Sequence, residues 1–182
     1  KPLRIFAGVT LRGEGAGTVL VMPGNEPAAV LLVSPFGHKF VASTVVEDLA
    51  IYTDKSAGIA AEPDVSNIVQ CRFENLVISA GGCAIDLNPG LAKKVYTQNT
   101  TIRNVHLAKS GGPALRLWGN ANNIEQVNTE GGTREGFTAE PAIVTIAGEY
   151  NDIRSCIIEA NKPNPAVAFH VSGSFTWSHN WV

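Results

Sequence analysis

Asp86 and Arg116 hold the same place in two copies of one short pattern, Gly81-Gly82-Cys83-Ala84-Ile85-Asp86-Leu87 and Gly111-Gly112-Pro113-Ala114-Leu115-Arg116-Leu117. If the two copies stack, an acid and a guanidinium become neighbours, with Asn88 and Trp118 following each of them by two residues. A patch of this kind suits a polar polymer. Sugar rings pack their C–H faces on an indole, their hydroxyls need both donors and acceptors, and arginine grips a carboxylate such as that of a uronic acid through two parallel hydrogen bonds. Asn88 and Trp118 are therefore ligand-binding candidates, and His170, projecting from a later strand, is a third. The plainer expectation for Asp86 and Arg116 is an ion pair between neighbouring turns, since opposite charges at paired positions are an ordinary sheet-stabilising unit.

Catalysis would ask for more. Glycosidic hydrolysis by two carboxylates needs them about 5–5.5 Å or about 6.5–9.5 Å apart. Glu130 and Glu159 fall in one column on adjacent turns if the excursion from Gly131 to Pro141 keeps the register. Elimination from a uronic acid needs a base near C5 and neutralisation of the sugar carboxylate, often by a cation. Asp86 with Glu62 is the candidate cation site, and Lys109 or Arg116 the candidate base. The catalytic candidates are thus Asp86, Arg116, Lys109, Glu130 and Glu159. Stacked acids read equally well as solvated turn residues.

These residues can converge only if a repeat positions them. A pattern of three apolar positions, spaced by two residues and then one, recurs as Val46/Leu49/Ile51, Phe73/Leu76/Ile78, Ile102/Val105/Leu107, Ile124/Val127/Thr129 and Ile153/Cys156/Ile158. Its uneven steps rule out a helical solenoid of fixed packing and suit coils whose turns accept insertions. A second strand follows a Gly- or Pro-containing turn in each unit: 58–61, 84–87, 114–117, 142–146 and 166–171. Ala28 to Leu32, bounded by Pro27 and Pro35, reads as a buried strand or turn. Aligning the second strands on their opening small residue places Ala60, Asp86, Arg116, Val144 and Ala168 in one outward column. Glu62, Asn88, Trp118, Ile146 and His170 form the next.

Parallel stacking at roughly 4.8 Å makes such columns continuous. The residues after the first apolar position, Glu47, Glu74, Arg103, Glu125 and Arg154, alternate in sign from Glu74 onward, which supports the register. Asp48, Asn75, Asn104, Gln126 and Ser155 form a polar column suited to holding a bend. The expected architecture is all-β: a single-stranded parallel β-helix of about seven rungs, one domain over residues 1–182.

The chain has 14 basic and 16 acidic side chains, and no basic stripe interleaved with aromatics, so nucleic acid is not an expected partner. Its 45% apolar residues are spread over short strands, with no stretch long enough to span a bilayer as a helix. Cys71, Cys83 and Cys156 sit at apolar positions or beside turns and read as buried thiols. The start at Lys1, without a signal peptide, fits a mature secreted or cell-surface protein or an excised fragment. The strand-like ends suggest a further chain or domain stacking on the terminal rungs.

The segment Ile5-Phe6-Ala7-Gly8-Val9-Thr10-Leu11-Arg12-Gly13-Glu14-Gly15 and the pattern Ile153-Arg154-Ser155-Cys156-Ile157-Ile158 resemble the early coil and later rungs of right-handed parallel β-helix proteins, particularly the pectate-lyase-like superfamily. The resemblance implies that fold along nearly the whole chain. It leaves function broad, because the superfamily includes lyases, hydrolases, epimerases, tailspikes and noncatalytic surface proteins. In the lyases, acidic residues hold calcium and arginine or lysine is the base. Asp86 and Arg116 match those residue types, and Ca2+ is the cofactor this implies. The paired-aspartate pattern of polygalacturonases and the Asp-Pro-His segment of alginate epimerases are missing. Two functions follow: a carbohydrate-active protein acting on an acidic polysaccharide as a lyase or hydrolase, or a noncatalytic structural or glycan-binding segment of a larger extracellular or tailspike-like protein.

Overall fold

The computed structural model describes residues 1–34, 38–88, 95–108, 111–130, 142–158, 167–172, 175–178 and 180. Every regular element among them is a β-strand. The strands β1 (Leu3–Phe6), β2 (Thr10–Arg12) and β3 (Val19–Met22) come first. Three turns of three strands follow: β4 (Ala28–Val33), β5 (Phe40–Ala42) and β6 (Val45–Thr53); β7 (Ala57–Ala61), β8 (Asn67–Val69) and β9 (Arg72–Ala80); β10 (Ile85–Asp86), β11 (Tyr96–Gln98) and β12 (Thr101–Ala108). Then come β13 (Leu115–Asn120), β14 (Asn123–Glu130), β15 (Ala142–Glu149), β16 (Asn151–Arg154), β17 (Ile157–Ile158), β18 (Val167–Ser172) and β19 (Phe175–Ser178).

All pairings are parallel, each strand bonding to its equivalent in the turns before and after. The chain is therefore a parallel β-solenoid with three faces. Face one stacks β1, β4, β7, β10, β13, β15 and β18; face three stacks β2 with β3, then β6, β9, β12, β14, β16 with β17, and β19. About four turns, β4 to β14, form the body, and the end strands prolong its ladders. That is fewer complete turns than the seven rungs expected, although the face-one ladder itself runs seven strands deep from Leu3 to Phe169.

Face two, made of β5, β8 and β11, has no counterpart in the two-strand reading of the sequence. Its strands are only three residues long, too short for alternation to register. In β13 the chain runs straight from face one into face two, with Trp118, Gly119 and Asn120 pairing to Tyr96, Thr97 and Gln98. The loop that separates β10 from β11 is absent there. This accounts for the short step between Val105 and Val127.

The apolar triplets fall in register: Val46, Phe73, Ile102, Ile124 and Ile153 are stacked partners, as are Leu49, Leu76, Val105 and Val127. They line the interior, each at most 2% exposed. At roughly 25 cal/mol per Å² of apolar surface, this continuous core is the main stabilising term. The repeated Gly-Gly follows from close packing of successive turns, since a Cβ on Gly111 would lie 2.1 Å from the Gly81 carbonyl oxygen.

Two columns of residues bend each turn, and both lie in the left-handed region. One is Ser43, Gln70, Asn99, Ala121 and Tyr150, at the corner between faces two and three, with φ from 49° to 56°. The other is the polar column Asp48, Asn75, Asn104, Gln126 and Ser155, with φ from 51° to 59°. Its expected role as a bend is borne out. Asn75 Nδ2 donates to Asp48 Oδ1 and Asn104 Nδ2 to Asn75 Oδ1, each at 2.8 Å. The neighbouring charge column is also in register, and Arg103 reaches Glu74 at 3.3 Å.

Just inside the first corner runs a buried column that the sequence reading did not single out: Thr44, Cys71, Thr100, Asn122 and Asn151. Asn122 Nδ2 donates to Asn151 Oδ1 at 2.9 Å and to the Thr97 carbonyl at 3.0 Å, while its Oδ1 accepts the Thr100 N–H at 3.0 Å. Cys71, Cys83 and Cys156 are all buried, as expected. Burial pushes the Cys71 and Cys156 thiols above their usual range.

Two substitutions at this corner should move stability in opposite directions. Asn122→Ala orphans the buried Thr100 N–H and is expected to cost about 2–4 kcal/mol by urea unfolding. Ala121→Gly relieves a left-handed alanine and is expected to gain roughly 1 kcal/mol. A loss for the glycine variant would contradict the left-handed corner.

Candidate functional site

The columns of face one place the candidates. Ala60, Asp86 and Arg116 are stacked partners, as the sequence reading has them. Beyond Arg116 the column continues through Thr145 and His170, so Val144 and Ala168 do not belong to it. Val144 and Ile146 point into the core, 2% and 0% exposed. The expected alignment is off by one residue there, and a one-residue slip exchanges the two faces of a strand. His170 accordingly stands in the backbone column of Arg116, not in that of Trp118.

Asp86 and Arg116 form an ion pair across adjacent strands. Arg116 Nε donates to Asp86 Oδ1 at 3.1 Å, and Arg116 Nη2 pairs with Oδ2. Asp86 is buried and Arg116 half-buried, their side chains 7% and 13% exposed. Leu31 and Ala60 continue the column on the other side and are also buried. The plainer expectation of an ion pair between neighbouring turns is what the structure shows here, largely shielded from solvent. Desolvation raises the Asp86 carboxyl above the ordinary carboxylate value, against the lowering effects of the Arg116 charge and hydrogen bonds.

Asn88 serves the backbone. Its N–H donates to Asp86 Oδ1 at 3.3 Å and its Oδ1 accepts the Val95 N–H at 3.1 Å, so it ties together the two ends of the 89–94 excursion. Glu62 pairs with Arg4. With both carboxylates of the expected cation site engaged by guanidinium groups, this donor set does not fit a calcium ion, and no cluster of three metal-ligating side chains occurs among the described residues. Glu130 is exposed, and its Oε2 lies 3.6 Å from His106 Nε2. Lys109 and Glu159 lie outside the described residues, as does the 131–141 excursion; His170 is described only in its backbone.

Trp118 meets partners that the sequence reading did not give it. On face two it stacks on Tyr96, followed by Asn67 and Phe40. The Tyr96 and Trp118 rings are 4.8 Å apart at 73°, an edge-to-face contact. Both are half-buried, Phe40 is 44% exposed, and His38 lies 5.6 Å from the Phe40 ring. Two residues further along, Val69, Gln98, Asn120 and Glu149 form a parallel column. Missing face two in the sequence hid this grouping, because Phe40, Asn67, Tyr96 and Trp118 are separated by unequal loops.

Comparison with known proteins agrees with this architecture, since the family profile described as a right handed beta helix region matches residues 37–182. The chain belongs to the right-handed β-helix family. No curated protein and no solved structure matches it. Membership of the family fixes the hand of the solenoid and leaves its ligand to be argued from the surface. No helix long and apolar enough to cross a membrane occurs among the described residues.

The buried pair yields two predictions. Arg116→Ala leaves the Asp86 carboxylate buried without a counter-charge and should cost about 3–5 kcal/mol, whereas replacing both residues by leucine should be nearly neutral. Because the folded state holds the Asp86 proton more tightly than the unfolded chain, this group favours folding below the ordinary aspartate pKa, and that contribution is lost as pH rises through the raised value. Unfolding free energy measured from pH 4 to 7 should therefore fall more steeply in the wild type than in Asp86→Asn. A flatter wild-type profile would show that the charge of Arg116 outweighs desolvation.

Proposed function

We propose that this chain is the glycan-binding β-helix of a secreted or cell-surface protein, holding a polysaccharide across its turns without cleaving it. The observation that carries this reading is the aromatic column of face two, in which Phe40, Tyr96 and Trp118 stand on one outward line with Asn67, beside Gln98 and Asn120. Flat rings flanked by carboxamides match the alternating C–H faces and hydroxyls of a sugar chain. Asp86, the expected cation ligand, is buried and paired with Arg116, one of the two candidate bases. The guanidinium that motivated an acidic polysaccharide is thereby engaged, so the reading keeps a polysaccharide and drops the requirement for acidic sugars.

The catalytic alternative, a lyase or hydrolase, rests on Lys109, Glu159 and the 131–141 excursion, and one experiment separates the two. The chain is incubated with acidic and neutral polysaccharides while unsaturated uronide absorbance and reducing ends are followed, and binding is measured by affinity electrophoresis. Expected are retardation without turnover and a roughly tenfold loss of affinity, about 1.4 kcal/mol, in a folded Trp118→Ala variant. Uronide absorbance would establish a lyase, and reducing ends without it a hydrolase. Retardation unchanged in Trp118→Ala would remove face two from the account.

A further inference from the structure

Face three carries a groove that uses neither the aromatic column nor the buried ion pair. It has a volume of about 390 Å³ and crosses β9, β12 and β14 along the bends at Asn75, Asn104 and Gln126. Gly15 and Ala16 bound it toward the amino-terminal end, where the Gly15 N–H bonds to the Asp48 carbonyl at 2.8 Å. Stacked left-handed residues produce the trough, because each strand changes direction at the same place.

The lining is chemically selective. It contains four carboxamides, His106 and the apolar Val77, and no Asp, Glu, Lys or Arg. The hydrogen bonds of the carboxamide ladder all run one way, from Asn104 to Asn75 to Asp48, so the Asn104 oxygen is the next acceptor in line. Asn128 stacks directly on His106, and its Oδ1 is buried with no hydrogen-bond partner. Asn128 also lines the groove. Glu130 Oε2 lies 3.6 Å from His106 Nε2.

An uncharged lining cannot compensate the desolvation of a carboxylate or phosphate. It can accept from hydroxyls, donate to ring oxygens, and offer Val77 to a C–H face. The volume lies near the lower end of the roughly 300–1,000 Å³ typical of small-ligand sites. We infer that this groove is a binding site for a neutral saccharide of one or two rings, its hydroxyls continuing the carboxamide ladder past Asn104 and packing beside Asn128. The site stands independently of the glycan reading of face two.

The test titrates the isotope-labelled full chain with a panel of neutral trisaccharides of gluco, manno and galacto configuration, and with trigalacturonate as the charged control. At least one neutral sugar should give saturable amide shifts at 104–106 and 126–128, with trigalacturonate giving none there. Asn128→Leu should unfold at the same or a higher temperature than the wild type, yet bind that sugar at least about tenfold more weakly. Val77→Trp, which fills the groove without removing a polar group, should abolish the shifts, and Trp118→Ala should leave them intact. The proposal is overturned if no neutral sugar shifts these segments, if trigalacturonate shifts them as strongly, or if the two groove variants bind like the wild type. Should Asn128→Leu fail to fold, Val77→Trp decides alone. Loss of shifts in Trp118→Ala would instead make the groove part of the face-two site and overturn its independence.

Discussion

The structure depends on successive turns keeping one register, and that register is held at its bends. Each turn places residues in the left-handed region at two fixed points, and at both columns the residues are not glycine. Such a conformation costs roughly 1–2 kcal/mol for a residue with a side chain, so every turn carries a local penalty that neighbouring turns must offset. They offset it with cross-turn hydrogen bonds: the exposed ladder from Asp48 to Asn104 at one bend, and the buried network of Asn122 and Asn151 beside the other. A turn standing alone would have neither. Stability is therefore shared between neighbours, as expected for a solenoid.

The same register decides which residues can act together. On face one it brings Asp86 and Arg116 into contact, but it also buries them, so the two groups best suited to acid–base work are used on each other. A buried pair of this kind contributes little net stability while making the loss of either partner expensive. It fixes the register of β10 against β13 at a point where β10 is only two residues long. On faces two and three, the outward residues remain accessible and line up over several turns. Polar and aromatic columns there turn an uneven sequence into continuous surfaces, which is the property an elongated ligand needs.

Much of the core was legible in the amino-acid order. The apolar triplet, the polar bend column and the charge column all fall in the expected register, because each rests on several copies with the same internal spacing. Ala28 to Leu32 was legible as a buried strand or turn from its flanking prolines, and it forms the buried strand Ala28–Val33. What stayed hidden has physical reasons. Strands of three residues such as Tyr96–Gln98 carry too little alternation to be seen, so face two and the Tyr96–Trp118 contact were missed. Aligning on a small opening residue fails at Ala142, where the strand starts earlier relative to its partner, and Val144 was turned outward as a result. Burial of Asp86 could not be read at all, since nothing in the repeat itself distinguishes a shielded outward position from an open one.

The central claim is that equivalent residues from successive turns lie directly above one another. Methyl–methyl nuclear Overhauser contacts in the labelled chain test it most directly. The account predicts contacts from Leu76 to Leu49 and Val105, and from Val105 to Val127. Cross-strand contacts displaced by one residue, or their absence between these methyls, would contradict it, and with it every surface built on those columns.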